Sequence, residues 1–157
     1  MNKSGLIQAV IAAIFALAIV TWLQFSVFAR GTLISNTDPS ERLESTNSNS
    51  GDALKQSIEA LNSSCPRQMD SQTRLDSALY RPGNVFAEYF TLVNLEKASI
   101  DTADMKTRIE ENILGSIKTN AAFTLFKNSN YTFAFIYNDK ADAHLFDIII
   151  GPGKYNN

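Results

Sequence analysis

The feature that constrains this chain most is an uninterrupted apolar run near its start. Leu6 to Ala29 reads LIQAVIAAIFALAIVTWLQFSVFA, without one charged residue. As a helix it would rise about 36 Å at 1.5 Å per residue, enough to cross a hydrocarbon core of about 30 Å with some tilt. A soluble helix would carry a polar stripe, and this one carries only scattered Gln8, Thr21, Gln24 and Ser26. A cleaved secretory signal would have a shorter apolar core, although Val27-Phe28-Ala29 has the form of a cleavage site. Trp22 sits near the distal end, where an amphipathic ring suits the membrane interface. The expectation is an uncleaved signal-anchor over residues 1–30, in contact with the lipid bilayer through Leu6–Ala29. Lys3 and the amino group weigh against Arg30 and Arg42 for orientation. The five-residue leading tail favours N-in, with the C-terminal part outside the cytoplasmic membrane. A type IV pilin start would need a Glu five residues after Gly5. That position is Val10, which argues against a pilin-like subunit.

Composition gains meaning once the chain is divided at Arg30. The whole chain carries a net charge of −2, but all 16 acidic residues and 12 of the 14 Lys and Arg lie beyond residue 30. The remainder is therefore acidic, and an acidic surface suits neither nucleic acid nor anionic lipid. Gly31 to Asp52 is dominated by Ser, Thr, Asn and Asp, too poor in apolar groups to offset the entropy of ordering. It reads as a polar linker, with Ser45 to Gly51 its most flexible part. Leu54, Ile58 and Leu61 then share one helical face, with Asp52 as a candidate N-cap. The linker with this short helix is assigned to 31–62.

Residues 63–157 suffice for one small core. Gln72 to Tyr80 alternates loosely, with Thr73, Leu75, Ser77 and Leu79 expected on one side. Arg81-Pro82-Gly83-Asn84 is a turn, and Val85 to Leu95 is rich in β-branched and aromatic residues. The two strands predict an antiparallel hairpin. Asp101 to Asp104 forms an N-cap cluster ahead of an apolar stripe of Met105, Ile109, Ile113 and Ile117, joined by Leu114. A second short helix after Asn120 offers Phe123, Leu125 and Phe126 for burial. Tyr131 to Tyr137 and His144 to Ile150 predict a second hairpin around the Asn138 to Asp142 turn. The predicted fold is α+β. It is a β-β-α-β-β domain whose antiparallel sheet packs one face, with Phe133 and Phe135, against one or two helices.

The chemistry-bearing residues are few. The single His, His144, opens a strand, and no nucleophile is selected near it by spacing. The single Cys, Cys65, lies too far beyond Ala29 to be an acylated signal cysteine, so a buried thiol or an intermolecular bond are its options. One His and one Cys cannot supply a normal zinc site, and no calcium loop is present. Gly151-Pro152-Gly153-Lys154 has the wrong spacing for a phosphate loop and reads as a strand-ending turn. Tyr131, Phe133, Phe135 and Tyr137 read as sheet core or a partner interface rather than a ligand platform. Asn62-Ser63-Ser64 and Asn130-Tyr131-Thr132 match the glycosylation triplet, which carries weight only in a glycosylating host. No catalytic, cofactor-binding or metal residue is assigned, and no cofactor is expected.

Cys65-Pro66, Asp70, Thr73 to Ser77, Pro82-Gly83-Asn84, Tyr89 and Thr91 to Asn94 resemble a group of small, uncharacterised bacterial envelope proteins. The likeness continues through Lys118-Thr119-Asn120, Phe126 and Phe133 to Tyr137, and covers about residues 65–155. The resemblance implies an N-terminal anchor with a C-terminal α+β domain, and brings no catalytic residues with it. Two functions compete. One is a non-enzymatic accessory protein in the bacterial inner membrane, spanning it once, its domain in the periplasm docked on a protein of a larger membrane or envelope complex. The other is a small ligand-binding or hydrolytic domain whose pocket would gather Arg74, Asp76 and His144. The first is preferred, because small domains hold small pockets.

Overall fold

The structure is a computed structural model that describes the backbone over residues 42–157 and side chains from residue 51. The expected anchor at Leu6–Ala29 and the linker up to residue 41 lie outside the described residues. Among the described residues no helix is long and apolar enough to cross a membrane.

The order of elements is α1 (Arg42–Ser63), β1 (Arg67–Gln68), β2 (Thr73–Arg81), β3 (Val85–Leu92), a 3-10 turn (Lys97–Ser99), α2 (Thr102–Thr119), a second 3-10 turn (Ala121–Phe123), α3 (Thr124–Asn128), β4 (Thr132–Asp139), β5 (His144–Ile150) and α4 (Pro152–Tyr155). The five strands form one sheet in the order β1-β2-β3-β4-β5. Both expected hairpins exist. β2 pairs antiparallel with β3 around Pro82-Gly83-Asn84, where Gly83 and Asn84 take φ of 82° and 55°. Asn is among the few side chains that tolerate this region. β4 pairs antiparallel with β5.

The sheet is nevertheless mixed, not antiparallel as expected. β3 and β4 run parallel through eight pairs from Val85↔Thr132 to Leu92↔Asp139. The cause lies between the hairpins. A connection carrying α2 and α3 returns the chain to the end of the sheet where β3 began, so β4 must start beside Val85.

All the described helices pack on one face. That face presents Tyr80 and Ala78 from β2, Phe86, Phe90 and Leu92 from β3, Phe133, Phe135 and Tyr137 from β4, and Phe146, Ile148 and Ile150 from β5, as the register requires. α2 buries Met105, Ile109, Ile113 and Ile117 against it. Its N-terminus is closed by Asp101, which accepts from the N–H groups of Ala103 and Asp104. Phe123 and Phe126 stack around Phe133 and Phe86, with ring centroids 5.5 and 5.4 Å apart. Leu125, expected to be available for burial, points outward and is 50% exposed. A five-residue helix has one buried face, which Phe126 occupies, and Phe123 is buried from the 3-10 turn before it.

Three further boundaries differ from expectation. α1 begins at Arg42, so its backbone is helical through the Ser45 to Gly51 run, and Asp52 lies inside the helix rather than at its cap. Leu54 and Ile58 anchor it to the core with 3% and 2% exposure. A helix nucleated by that docked half propagates backward at little cost per residue. The two-residue β1 extends the sheet beside β2. The final Pro152–Tyr155 segment forms one helical turn, with Pro at its start and Tyr155 buried, its hydroxyl donating to the Tyr131 carbonyl at 2.8 Å.

Candidate interaction surface

The other face of the sheet has no described element packed on it. The alternation that sends Phe86, Phe90 and Leu92 into the core sends Val85, Ala87, Tyr89 and Thr91 to this second face. Parallel register places Thr132, Ala134, Ile136 and Asn138 beside them. Leu79 and Ile149 project from its two sides, 37% and 50% exposed. β5 is also the last strand of the sheet, so one edge of its backbone pairs with no strand. Lys154 reaches over to the Ile149 carbonyl (3.1 Å) and Lys97 to the His144 carbonyl (2.8 Å), which covers part of that edge with charge.

A bulge shapes one end of this face. Leu75 pairs with Phe90 and Ser77 with Tyr89, leaving Asp76 as the extra residue. The regular alternation expected for Gln72–Tyr80 therefore breaks at Asp76. Thr73 and Leu75 face the core, whereas Asp76, Ser77 and Leu79 face outward. The displaced Asp76 carboxylate accepts from the Arg74 guanidinium on one oxygen and from the Thr91 hydroxyl (2.6 Å) on the other. Arg74 Nη2 also donates to Thr91 at 3.3 Å. Across the strands, Asn138 Nδ2 donates to Asp142 at 3.0 Å, and Lys140 pairs with Glu96 at 2.7 Å. Arg74, Asp76, Thr91, Asn138, Lys140 and Asp142, without Glu96, ring a concavity of about 710 Å³ beside Tyr89.

The triad considered for a hydrolytic site comes only partly together. Arg74 and Asp76 are joined, but His144 does not line the concavity; its ring is paired with Asp147 at 2.8 Å. Arg74 and Asp76 are bonded to one another and to Thr91, with no histidine among the residues that line the concavity. Cys65 is a half-buried free thiol whose Sγ lies 3.5 Å from the Leu61 carbonyl. Desolvation pushes its pKa up, helped by the Glu88 and Asp76 carboxylates against Arg67. Tyr131, Phe133, Phe135 and Tyr137 are all buried in the core. Asn130 stands at a turn with φ of 54°, and Gly151 to Lys154 closes the chain as the single helical turn. Among the described residues no cluster of His, Cys, Asp or Glu could hold a metal ion.

Two carboxylates were not singled out by sequence reasoning. Glu88 sits on the core face of β3, 1% exposed, with Oε2 lacking any hydrogen-bond partner. Desolvation pushes its pKa up to about 8. Its place between Phe86 and Phe90 in a strict alternation was the signal that could have found it. Asp139 is buried at the β4–β5 turn and accepts from the N–H groups of Lys97, Ala141 and Ala143 at 2.8–2.9 Å. Those bonds, that from Lys97 first, hold its carboxyl below the usual range.

A five-stranded mixed sheet with helices on one face, and no element on the other among the described residues, defines a two-layer α+β domain. The chain belongs to the DUF8479 family, a domain of unknown function, matched over residues 48–146. No curated protein matches the sequence. Solved structures with a similar fold include a protein assigned as secreted from Pseudomonas aeruginosa, at 9% identity and a TM-score of 0.54, covering 69% of this chain and 95% of that one. The pilotin EpsS of the Vibrio vulnificus type 2 secretion system is similar at 5% identity and a TM-score of 0.55, covering 71% and 96%. The type 2 secretion system pilotin AspS of Vibrio cholerae is similar at 8% identity and a TM-score of 0.51, covering 71% and 97%.

Proposed function

We propose that this protein is a non-catalytic accessory subunit that docks a small α+β domain on a protein of a larger envelope complex. The observation that carries the reading is the uncovered second face of the sheet. A two-layer domain that leaves Leu79 and Ile149 exposed, beside an unpaired edge strand, offers a surface for another polypeptide. The fold shared with two secretion-system pilotins supports the same reading. The apolar run Leu6–Ala29 supports a single-pass inner-membrane anchor, with residues 42–157 on the periplasmic side. A hydrolytic role has less support, because His144 pairs with Asp147 and not with Arg74 and Asp76.

Affinity purification of the full chain after crosslinking in native membranes tests the reading. A single stoichiometric protein partner, lost or depleted when Leu6–Ala29 is deleted, is the expected result. A chain that captures no partner, with or without the segment, contradicts it.

A further inference from the structure

The concavity beside Tyr89 has a chemistry of its own. Its four charged linings balance, with Arg74 and Lys140 against Asp76 and Asp142. A phosphate or other anion would meet two carboxylates, and a cation two basic groups, so neither is favoured. An apolar ligand would strand polar groups on almost every side. What remains is a neutral ligand with both a hydroxylated rim and an apolar face.

The side chains suit that description in detail. The planar polar groups are held in place before any ligand arrives. Arg74 is fixed by Asp76 and Thr91, and Asn138 by Asp142. Arg74 uses two of its five N–H donors in those bonds, which leaves the other three without a partner among the described residues. Asn138 keeps its carbonyl and Asp142 its second oxygen as acceptors. Tyr89 is half-buried and lines the concavity, and the Arg81 guanidinium lies over its ring, 5.5 Å from the centroid. The volume of about 710 Å³ lies within the usual range for small-ligand sites.

We propose that this concavity binds a neutral saccharide, its C–H face against the Tyr89 ring and its hydroxyls on Arg74, Asn138 and Asp142. The concavity lies at one end of the same sheet face as Leu79 and Ile149, and protein capture and sugar binding are measured separately.

Amide shifts of Ser77, Tyr89, Thr91 and Asn138 in the labelled full chain, held in a non-glycosidic detergent, report occupancy. Chitotriose and maltotriose are the probes, with inorganic phosphate and trialanine as comparators. The expected result is saturable shifts at those amides with at least one trisaccharide, at millimolar concentration. Tyr89→Ala should weaken binding about tenfold. Asn138→Ala should weaken it in the same direction, and Glu111→Gln, on the exposed side of α2, should leave it unchanged. Should Tyr89→Ala not fold, Tyr89→Leu and Asn138→Ala carry the comparison. No shift with either sugar, shifts insensitive to these variants, or equal shifts with phosphate or trialanine would overturn the proposal.

Discussion

Glu88 is the residue whose chemistry departs furthest from its surroundings. Its carboxyl lies in an aromatic core without a partner for Oε2, and it remains protonated at neutral pH because ionising there would strip a charge of water. The folded state thus holds a proton that the unfolded chain releases above pH 4.5. The stability this contributes is present below 4.5 and is lost as pH rises toward about 8. Glu88→Gln should match the parent protein at low pH and exceed it by about 5 kcal/mol above the folded pKa. Urea melts across that range would show the gap widening with pH, and a pH-independent gap would refute the assignment. Asp139 behaves with the opposite sign. Its depressed pKa means that its contribution is present above the ordinary carboxylate value and is lost as pH falls through the folded one. Asp139→Ala leaves the N–H groups of Lys97, Ala141 and Ala143 without their acceptor. The variant should melt at a lower temperature than the parent protein at neutral pH, with a smaller difference in acid.

At the scale of elements, α1 and α2 hold the fold through different devices. α2 is specified locally, by a four-residue repeat of apolar side chains and a side-chain cap. Asp101→Ala should cost about 1 kcal/mol. α1 is held by two buried side chains, and Ile58→Ala should cost about 2–5 kcal/mol in equilibrium unfolding. The contrast explains what could be read in advance. The α2 stripe, the Asp101 cap, both hairpins and the bounds of β5 follow from local periodicity and turn chemistry, and all are present. The parallel pairing of β3 with β4 does not follow, because it depends on where a long connection delivers the chain. The bulge at Asp76 was equally hidden, since no Gly or Pro marks it, and with it went the grouping of Arg74, Asp76 and Thr91. The start of α1 was missed because Ser and Asn are weak helix formers that tertiary anchoring overrides.

For the whole molecule, the decisive property is asymmetry. One face of the sheet is closed by helices and aromatic side chains, and the other carries Leu79, Tyr89, Ile136 and Ile149 beneath no described element. That asymmetry of the described residues, with the bilayer-length apolar run Leu6–Ala29, is what the proposed docking role rests on. A photocrosslinking residue at position 79 or 149 therefore probes the proposed docking face, with position 111 on the exposed side of α2 as the control. In native membranes, positions 79 and 149 should give adducts to the same protein, and position 111 none. Adducts from position 111 alone, or none from either sheet position, would contradict the central claim.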